Sequence, residues 1–474
     1  MSPAVMPAVN RLIVEPGALF TGSSNPTPLC CPSRAAFLSG QFGHNNGVLW
    51  NSPGYRALRE KNNTLPVWMK RAGYVTAHVG KYLNAYAYSR SDPGEVAPGW
   101  MQWHTFVDPN SYYSAPFANN GQFGETGTSP GDYTTTVINR TAVQMVHRFV
   151  PREKPLFMVV DQFAPHRSGG PSLVPRCAAP GPEPALQDRD AFADASLPQP
   201  PSFNEADVSD KPSFIRNRQP FEGPALAALG RTYGCTLASL QEVDRGVGQI
   251  WKELGRTGER DNTAIIFTSD NGLFFGEHRL SFEKIVPYRE SLEVPLAMRL
   301  PAGTKPSPGG GINVSQLVAN VDLTATILDL AGAEPCRTNS DCRTLDGRSL
   351  LGLAGGKSRG WPSDRAIPLE LDTGGRPADP NSSCTYQGVR TLGQIYLRHT
   401  SVSDAGGHCS PATEIEHYDL AADPAQLSNL FATAAAPAGE AMQEAGLAAR
   451  ASSLATCSGI KGRDRRVAHR PFCE

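Results

Sequence analysis

The sequence predicts an α/β protein with a large mixed, mostly parallel sheet between helices, followed by a smaller C-terminal α+β domain. Three observations lead there. Short apolar runs alternate with helical patterns, as βα units do. Of 474 residues 40% are hydrophobic, enough to fill a sizeable core, and only 19% are charged. The 46 glycines and 41 prolines indicate a loop-rich globular enzyme rather than a helical bundle or a disordered chain.

Taken in order, residues 28–40 predict a short helix: Pro32 suits a first turn, Ala35 to Leu38 continue it and Gly40 can end it. Residues 74–79, 156–163, 263–268 and 294–299 read as strands, two of them apolar enough to be covered on both faces. Residues 168–224 are rich in Pro, Asp and Ser without periodicity and predict a long surface excursion. A helix is expected over 232–254, where Leu237, Leu240, Val243, Val247, Ile250, Trp251 and Leu254 keep the 3.6 period and Gly255 stands at the stop. A second is expected over 317–330. Residues 355–380 turn to Gly, Ser, Arg and Pro, a hinge that divides the chain into 1–355 and 356–474.

Charge and cysteine usage narrow the class. Lys and Arg number 44 against 45 Asp and Glu, so no net field draws the chain to nucleic acid or anionic lipid, and no basic run is read that would do so locally. No apolar stretch reaches the roughly 18 residues of a membrane span, and the N-terminus has no signal-peptide pattern. Six of the ten cysteines fall as close pairs, 336 with 342, 384 with 409 and 457 with 473. That spacing indicates disulfide loops in an oxidising compartment, against the alternative of free thiols; no CxxC pair suggests zinc.

The segment Pro28-Leu29-Cys30-Cys31-Pro32-Ser33-Arg34 carries the most chemistry. Cys30 and Cys31 stand at a helix N-terminus, where free N–H groups and the dipole favour an anion or a polarised nucleophile, and Arg34 can point back one turn to the same spot. A buried cysteine pair capping a short helix is the competing reading. Ser269-Asp270-Asn271-Gly272 ends the 263–268 run; a turn alone would explain it, but an Asp-Asn pair at a strand's carboxyl end also offers hard oxygens to Ca²⁺ or Mg²⁺. Gly127-Thr-Ser129-Pro-Gly131 fits G-x-S-x-G, but no strand precedes it, so it reads as a turn. Sequons stand at Asn62, Asn139, Asn313 and Asn381.

Here the chain resembles the sulfatase family. Cys30, Cys31, Pro32, Ser33 and Arg34 match its Cys-x-Pro-Ser-Arg signature, with Ser39-Gly40 and His44 to Val48 following as in the family. Gly80-Lys81-Tyr82-Leu83-Asn84 and Pro98 to Trp103 are similar to the branch of N-acetylglucosamine-6-sulfatases and extracellular heparan sulfatases. Ala164-Pro165-His166, Ser269 to Gly272, Lys284 with Tyr288 to Pro295, Asn320 to Gly332, Asp346 to Leu350 and Tyr418 to Leu430 continue the likeness in order.

The resemblance implies an alkaline-phosphatase-like sandwich and a hydrolase of sulfate esters on a sugar, glycosaminoglycan or aryl group. It implies that Cys30 is oxidised by a maturase to Cα-formylglycine, whose hydrate attacks sulfur to give a covalent sulfate ester that collapses back to the aldehyde. Lys81 and Lys284 would neutralise sulfate oxygens, His166 would protonate or orient the leaving alcohol, and Arg34 would hold the nucleophile. Asp270, Asn271 and residue 30 would hold a divalent cation, Ca²⁺ or else Mg²⁺. Leu83 stands where some members carry a histidine.

The family opens on a strand ending in two aspartates, whereas this chain has no Asp before Asp92. The expectation is that Met1 lies within a longer reading frame encoding a signal, that strand and those ligands, and that the full protein is secreted, periplasmic or lysosome-like; in this length, cation binding is expected to be weak. The alternatives are an inactive relative that binds sulfated glycans without turnover and a phosphomonoester or phosphonate hydrolase, which would place Thr or Ser at position 30.

Overall fold

A computed structural model describes residues 2–86, 95–107, 111–151, 153–170, 172–177, 181–304, 310–432, 438–467 and 469–474. Nine strands of the larger part form two sheets. The first has the order β9-β1-β8-β7, from β1 (Ala18–Phe20), β7 (Ile265–Thr268), β8 (Leu296–Arg299) and β9 (Ile312–Val314). The second has the order β5-β4-β3-β2-β6, from β2 (Val75–Lys81), β3 (Gln102–Phe106), β4 (Pro116–Asn119), β5 (Gln122–Glu125) and β6 (Leu156–Asp161). Pairing is mixed: β2 lies parallel to β3 and β6, whereas β4, β5, β7 and β8 pair antiparallel. All seven residues of β2 are buried, the polar Thr76, His78 and Lys81 among them.

The four predicted strands are present: three are shorter by two residues at one end, and β2 starts one residue later and runs two residues further than 74–79. β6 stops at Asp161, short of 163, because the chain turns toward His166 there. β2, β6 and β7 all end beside the same cavity, the end of an α/β sheet where ligand sites collect. Among the described residues β6 pairs only with β2, and β7 only with β8. Both strands line one cavity of about 1710 Å³ that also holds the site, with Leu240, Val243, Val247, Leu323 and Ile327 among its apolar lining.

Helix α1 (Cys30–Ser39) ends at Gly40 with φ 65°, the left-handed stop that glycine allows. α2 (Thr134–Phe149) packs on α3 (Gly223–Arg256). α3 begins nine residues before the expected 232, because Pro224 opens a first turn that the apolar stripe does not report. α4 (Asn320–Ala331) starts three residues later than expected, since Val318 and Ala319 pair with Ser23 and Ser24 instead. The excursion over 168–224 includes positions 171 and 178–180, outside the described residues; the rest is irregular with three short turns of helix.

The C-terminal part is an antiparallel sheet, β10 (Ala366–Asp372), β11 (Ser383–Thr391), β12 (Gln394–Ser403) and β13 (Cys409–Asp419), against which α6 (Ala438–Leu454) lies. It also buttresses the site. Leu369, Leu371, Tyr386, Ile395 and Leu397 pack against Leu29 and Ile285, the neighbours of Cys30 and Lys284.

Four disulfides are formed, three of them the pairs read from spacing. The fourth, Cys177–Cys235, closes 58 residues and ties the excursion to α3, a separation too long for spacing to suggest. Asn139 of the sequons is buried and donates to the Glu242 carbonyl at 2.8 Å, so its amide is not open to glycosylation. No described helix is long and apolar enough to cross a membrane.

Candidate active site

The site is built on the first turn of α1. Cys30 is 2% exposed and stands at the helix start, with Pro32 two residues on needing no hydrogen-bond partner for its nitrogen. Two ammonium groups converge on its sulfur. Lys284 Nζ lies 2.8 Å from Cys30 Sγ and Lys81 Nζ, from the end of β2, 3.6 Å. Burial pushes the Cys30 thiol up, but Lys284 and Lys81, with a smaller push from Arg34, overcome both burial and the opposing charge of Asp270, so it titrates below its ordinary value. Next door, Cys31 is pushed up to about 12 by burial, with its backbone N–H donating to Asn51 Oδ1 at 3.1 Å. One cysteine of the pair is activated and the other is inert. Both are free thiols.

Arg34 is fixed on three sides. Its Nε and Nη2 each reach Asp270 Oδ2 at 2.8 Å, and Nη1 donates to the Lys81 carbonyl at 2.8 Å and the Tyr82 carbonyl at 3.1 Å. Despite burial, Arg34, Lys284 and Lys81 hold the Asp270 carboxyl down at about 2. Asn25 donates to the Asp270 carbonyl at 2.7 Å and sets the loop after β7. Asn320, opening α4, donates to the Ser33 carbonyl and hydroxyl at 2.9 and 3.0 Å and secures the first turn of α1.

His166 follows a cis Ala164–Pro165 peptide and lines the same cavity. Its Nδ1 lies 2.9 Å from the Arg167 carbonyl, and its own carbonyl accepts from Tyr112 Oη at 2.7 Å. Burial, then the charges of Lys81 and Lys284, push its imidazole well below the usual histidine value, so it is neutral near pH 7. Lys81 is itself lowered by burial, which its attraction to Cys30 only partly offsets.

The chain thus brings together residues from five places that the sequence singles out: 30 and 34, 81, 166, 270 and 271, and 284. Sequence reasoning missed Asp161, which ends β6 in the same cavity, contacts His78 Nε2 at 3.1 Å and acts on Arg34 electrostatically. A lone Asp closing the apolar run 156–160 was the available signal. It also missed Trp50, Asn51 and Asp379, whose presence in the cavity depends on long-range packing.

For a divalent cation the fit is partial. Asn271 Oδ1 is buried without a partner and Asp270 offers one carboxylate, three hard oxygens in all where Ca²⁺ takes six to eight. Asp270 is already engaged by Arg34, and among the described residues no group of three or more His, Cys, Asp or Glu could hold a metal. These residues do not complete a cation site, and no step below is routed through one.

Comparison with known proteins gives the family and the fold. A family model described as Sulfatase matches residues 1–333. The N-acetylglucosamine-6-sulfatase of Homo sapiens is 30% identical over 452 residues, covering 89% of this chain and 76% of the relative. A solved complex of a protein with its substrate D-glucosamine-2-N,6-O-disulfate superposes with a TM-score of 0.74 at 23% identity, over 94% of this chain and 91% of that one. The phosphonate monoester hydrolase of Agrobacterium radiobacter superposes at 0.67 with 19% identity, over 94% and 89%, a likeness of fold.

Proposed function

The chain belongs to the sulfatase family and is a sulfuric ester hydrolase, and on that premise we propose that it removes sulfate from a sulfated amino sugar, with residue 30 matured to Cα-formylglycine as the nucleophile. One observation carries the reading: Lys81 and Lys284 converge on the side chain of residue 30 at 3.6 and 2.8 Å. A nucleophile between two buried ammonium groups is suited to an anionic ester, whose sulfate oxygens they neutralise as the attack on sulfur develops. The family generally uses formylglycine and a divalent cation. Residue 30, so modified, would supply a geminal hydroxyl as nucleophile and a second hydroxyl that lets the sulfate leave.

The chain's own residues do the rest. Arg34, clamped by Asp270 and two carbonyls, fixes the first turn of α1 and the charge beside residue 30. Lys81 and Lys284 bind the sulfate. Burial first, and then their charges, depress His166, so a bound sulfate, by offsetting the charges, raises its basicity and readies it to hand a proton to the departing alcohol. In the net reaction the sulfur–oxygen ester bond breaks, a water oxygen joins the sulfate, and the alcohol leaves with a proton.

The sugar reading rests on likeness to the N-acetylglucosamine-6-sulfatase branch. The phosphonate hydrolase reading rests on likeness of fold alone, at 19% identity. Four disulfides support an oxidising, exported location. The test is expression with a formylglycine-generating maturase and assay on an aryl sulfate and on glucosamine-6-sulfate. Sulfate release from the sugar is expected, and release from the aryl ester alone would confine the activity to arylsulfatase type.

A further inference from the structure

We infer that a second anion site, separate from the catalytic cavity, anchors the sulfated polysaccharide chain that carries the substrate. A pocket of about 240 Å³ lies between the loop before and after helix α5 (Leu351–Ala354) and the C-terminal segment. Arg348, Ser349, Lys357, Arg359, Trp361 and Arg463 line it, no carboxylate does, and it shares no residue with the catalytic cavity.

The four cations are not equivalent. Arg348 is paired with Glu474, and Arg463 with Asp464 at 2.7 Å. Lys357 and Arg359 are exposed and have no ion pair among the described residues. The segment Lys461-Gly-Arg463-Asp-Arg465-Arg466 adds exposed cations beside the Ile460 wall. This corrects the sequence-level reading that no basic run exists: four cations in six residues were overlooked, and folding adds Lys357 and Arg359 from more than a hundred residues away.

On a chain of net charge −1 such a cluster is a local departure that draws polyanions. Arginine forks match sulfate and carboxylate groups in pairs. The pocket is concave, and one wall is the Trp361 ring, held in place by the Arg365 guanidinium at 4.6 Å. A flat ring among cations suits a sulfated sugar unit better than a phosphate backbone. The occupant is therefore a sulfated polysaccharide, an assignment that rests on the sugar-sulfatase reading.

The test compares the full chain, its K357E/R359E variant and a control of equal charge change, R140E/K252E, whose exposed residues sit on α2 and α3. Binding to immobilised heparin is measured over a salt gradient, alongside hydrolysis of a small aryl sulfate and melting temperature. The pocket variant is expected to bind heparin about thirtyfold more weakly, with aryl sulfate turnover and melting unchanged, while the control binds as the parent does. Equal loss in the control, unchanged heparin binding by the pocket variant, or parental binding to single-stranded DNA as tight as to heparin would overturn the proposal. Absence of aryl sulfate turnover in the parent would count against the function, and the binding comparison would still decide the pocket.

Discussion

Lys284 Nζ lies 2.8 Å from Cys30 Sγ although 254 residues separate them in sequence. Neither residue reaches that position alone. Leu29 and Ile285, their neighbours, are pinned against the same apolar face of the C-terminal sheet, and Tyr386 Oη donates to the Ile285 carbonyl at 3.3 Å. The sheet therefore holds nucleophile and counter-charge in register.

Removing that counter-charge is expected to raise the Cys30 thiol pKa in the unmodified protein and to slow the matured enzyme. For Lys284→Met, ultraviolet titration of thiolate should move Cys30 to higher pH while Cys31, already at about 12, stays silent in the working range. In the matured enzyme, kcat/KM on an aryl sulfate should fall by about 10²–10³. Lys81→Met should act in the same direction.

The pH dependence follows from two depressed groups. His166 in the fold titrates well below its ordinary 6.5, so the unfolded chain binds its proton first and the stability it contributes is lost as pH falls below about 6.5. Asp270 titrates at about 2 against an ordinary 3.8; its contribution is present above 3.8 and lost as pH falls through that value toward 2. Melting temperature followed from pH 8 to 3 should decline in these two stages, and His166→Ala should remove the upper one.

Calcium titrated into this chain should bind weakly, with a Kd of order 1 mM, because Asp270 and Asn271 bring one charge and three side-chain oxygens, one of them held by Arg34. Calorimetry on the parent and on Asp270→Asn checks this: the variant should show no measurable heat, and micromolar binding by the parent would contradict the ligand count.

The facing edges of β6 and β7 present backbone groups without strand partners among the described residues. Hydrogen exchange should accordingly be fast at the amides of residues 156–161 that face the cavity and slow through Val75–Lys81, whose strand is paired on both sides. Equal protection of both strands would show that the edges close on each other in solution.

How far the sequence could be read depended on the range of the interactions. α1, its stop at Gly40 and the strand runs were legible because their signals are local. Residues 30, 34, 81, 166, 270, 271 and 284 were legible because motif resemblance had already encoded their meeting. The Cys177–Cys235 bridge and the packing of Tyr386 against Ile285 were not, since each depends on chain segments far apart meeting in the fold. Lys357 and Arg359 are unremarkable in sequence and matter only beside Arg463.

The central claim is that residue 30 is the nucleophile in modified form. Its most direct measurement is the mass of the peptide carrying residue 30 after expression with a formylglycine-generating maturase, read together with sulfate release. One sulfur exchanged for oxygen with two hydrogens lost is expected at Cys30, with Cys31 unchanged and turnover that Cys30→Ala abolishes. Sulfate release from a chain whose Cys30 remains a thiol would contradict it.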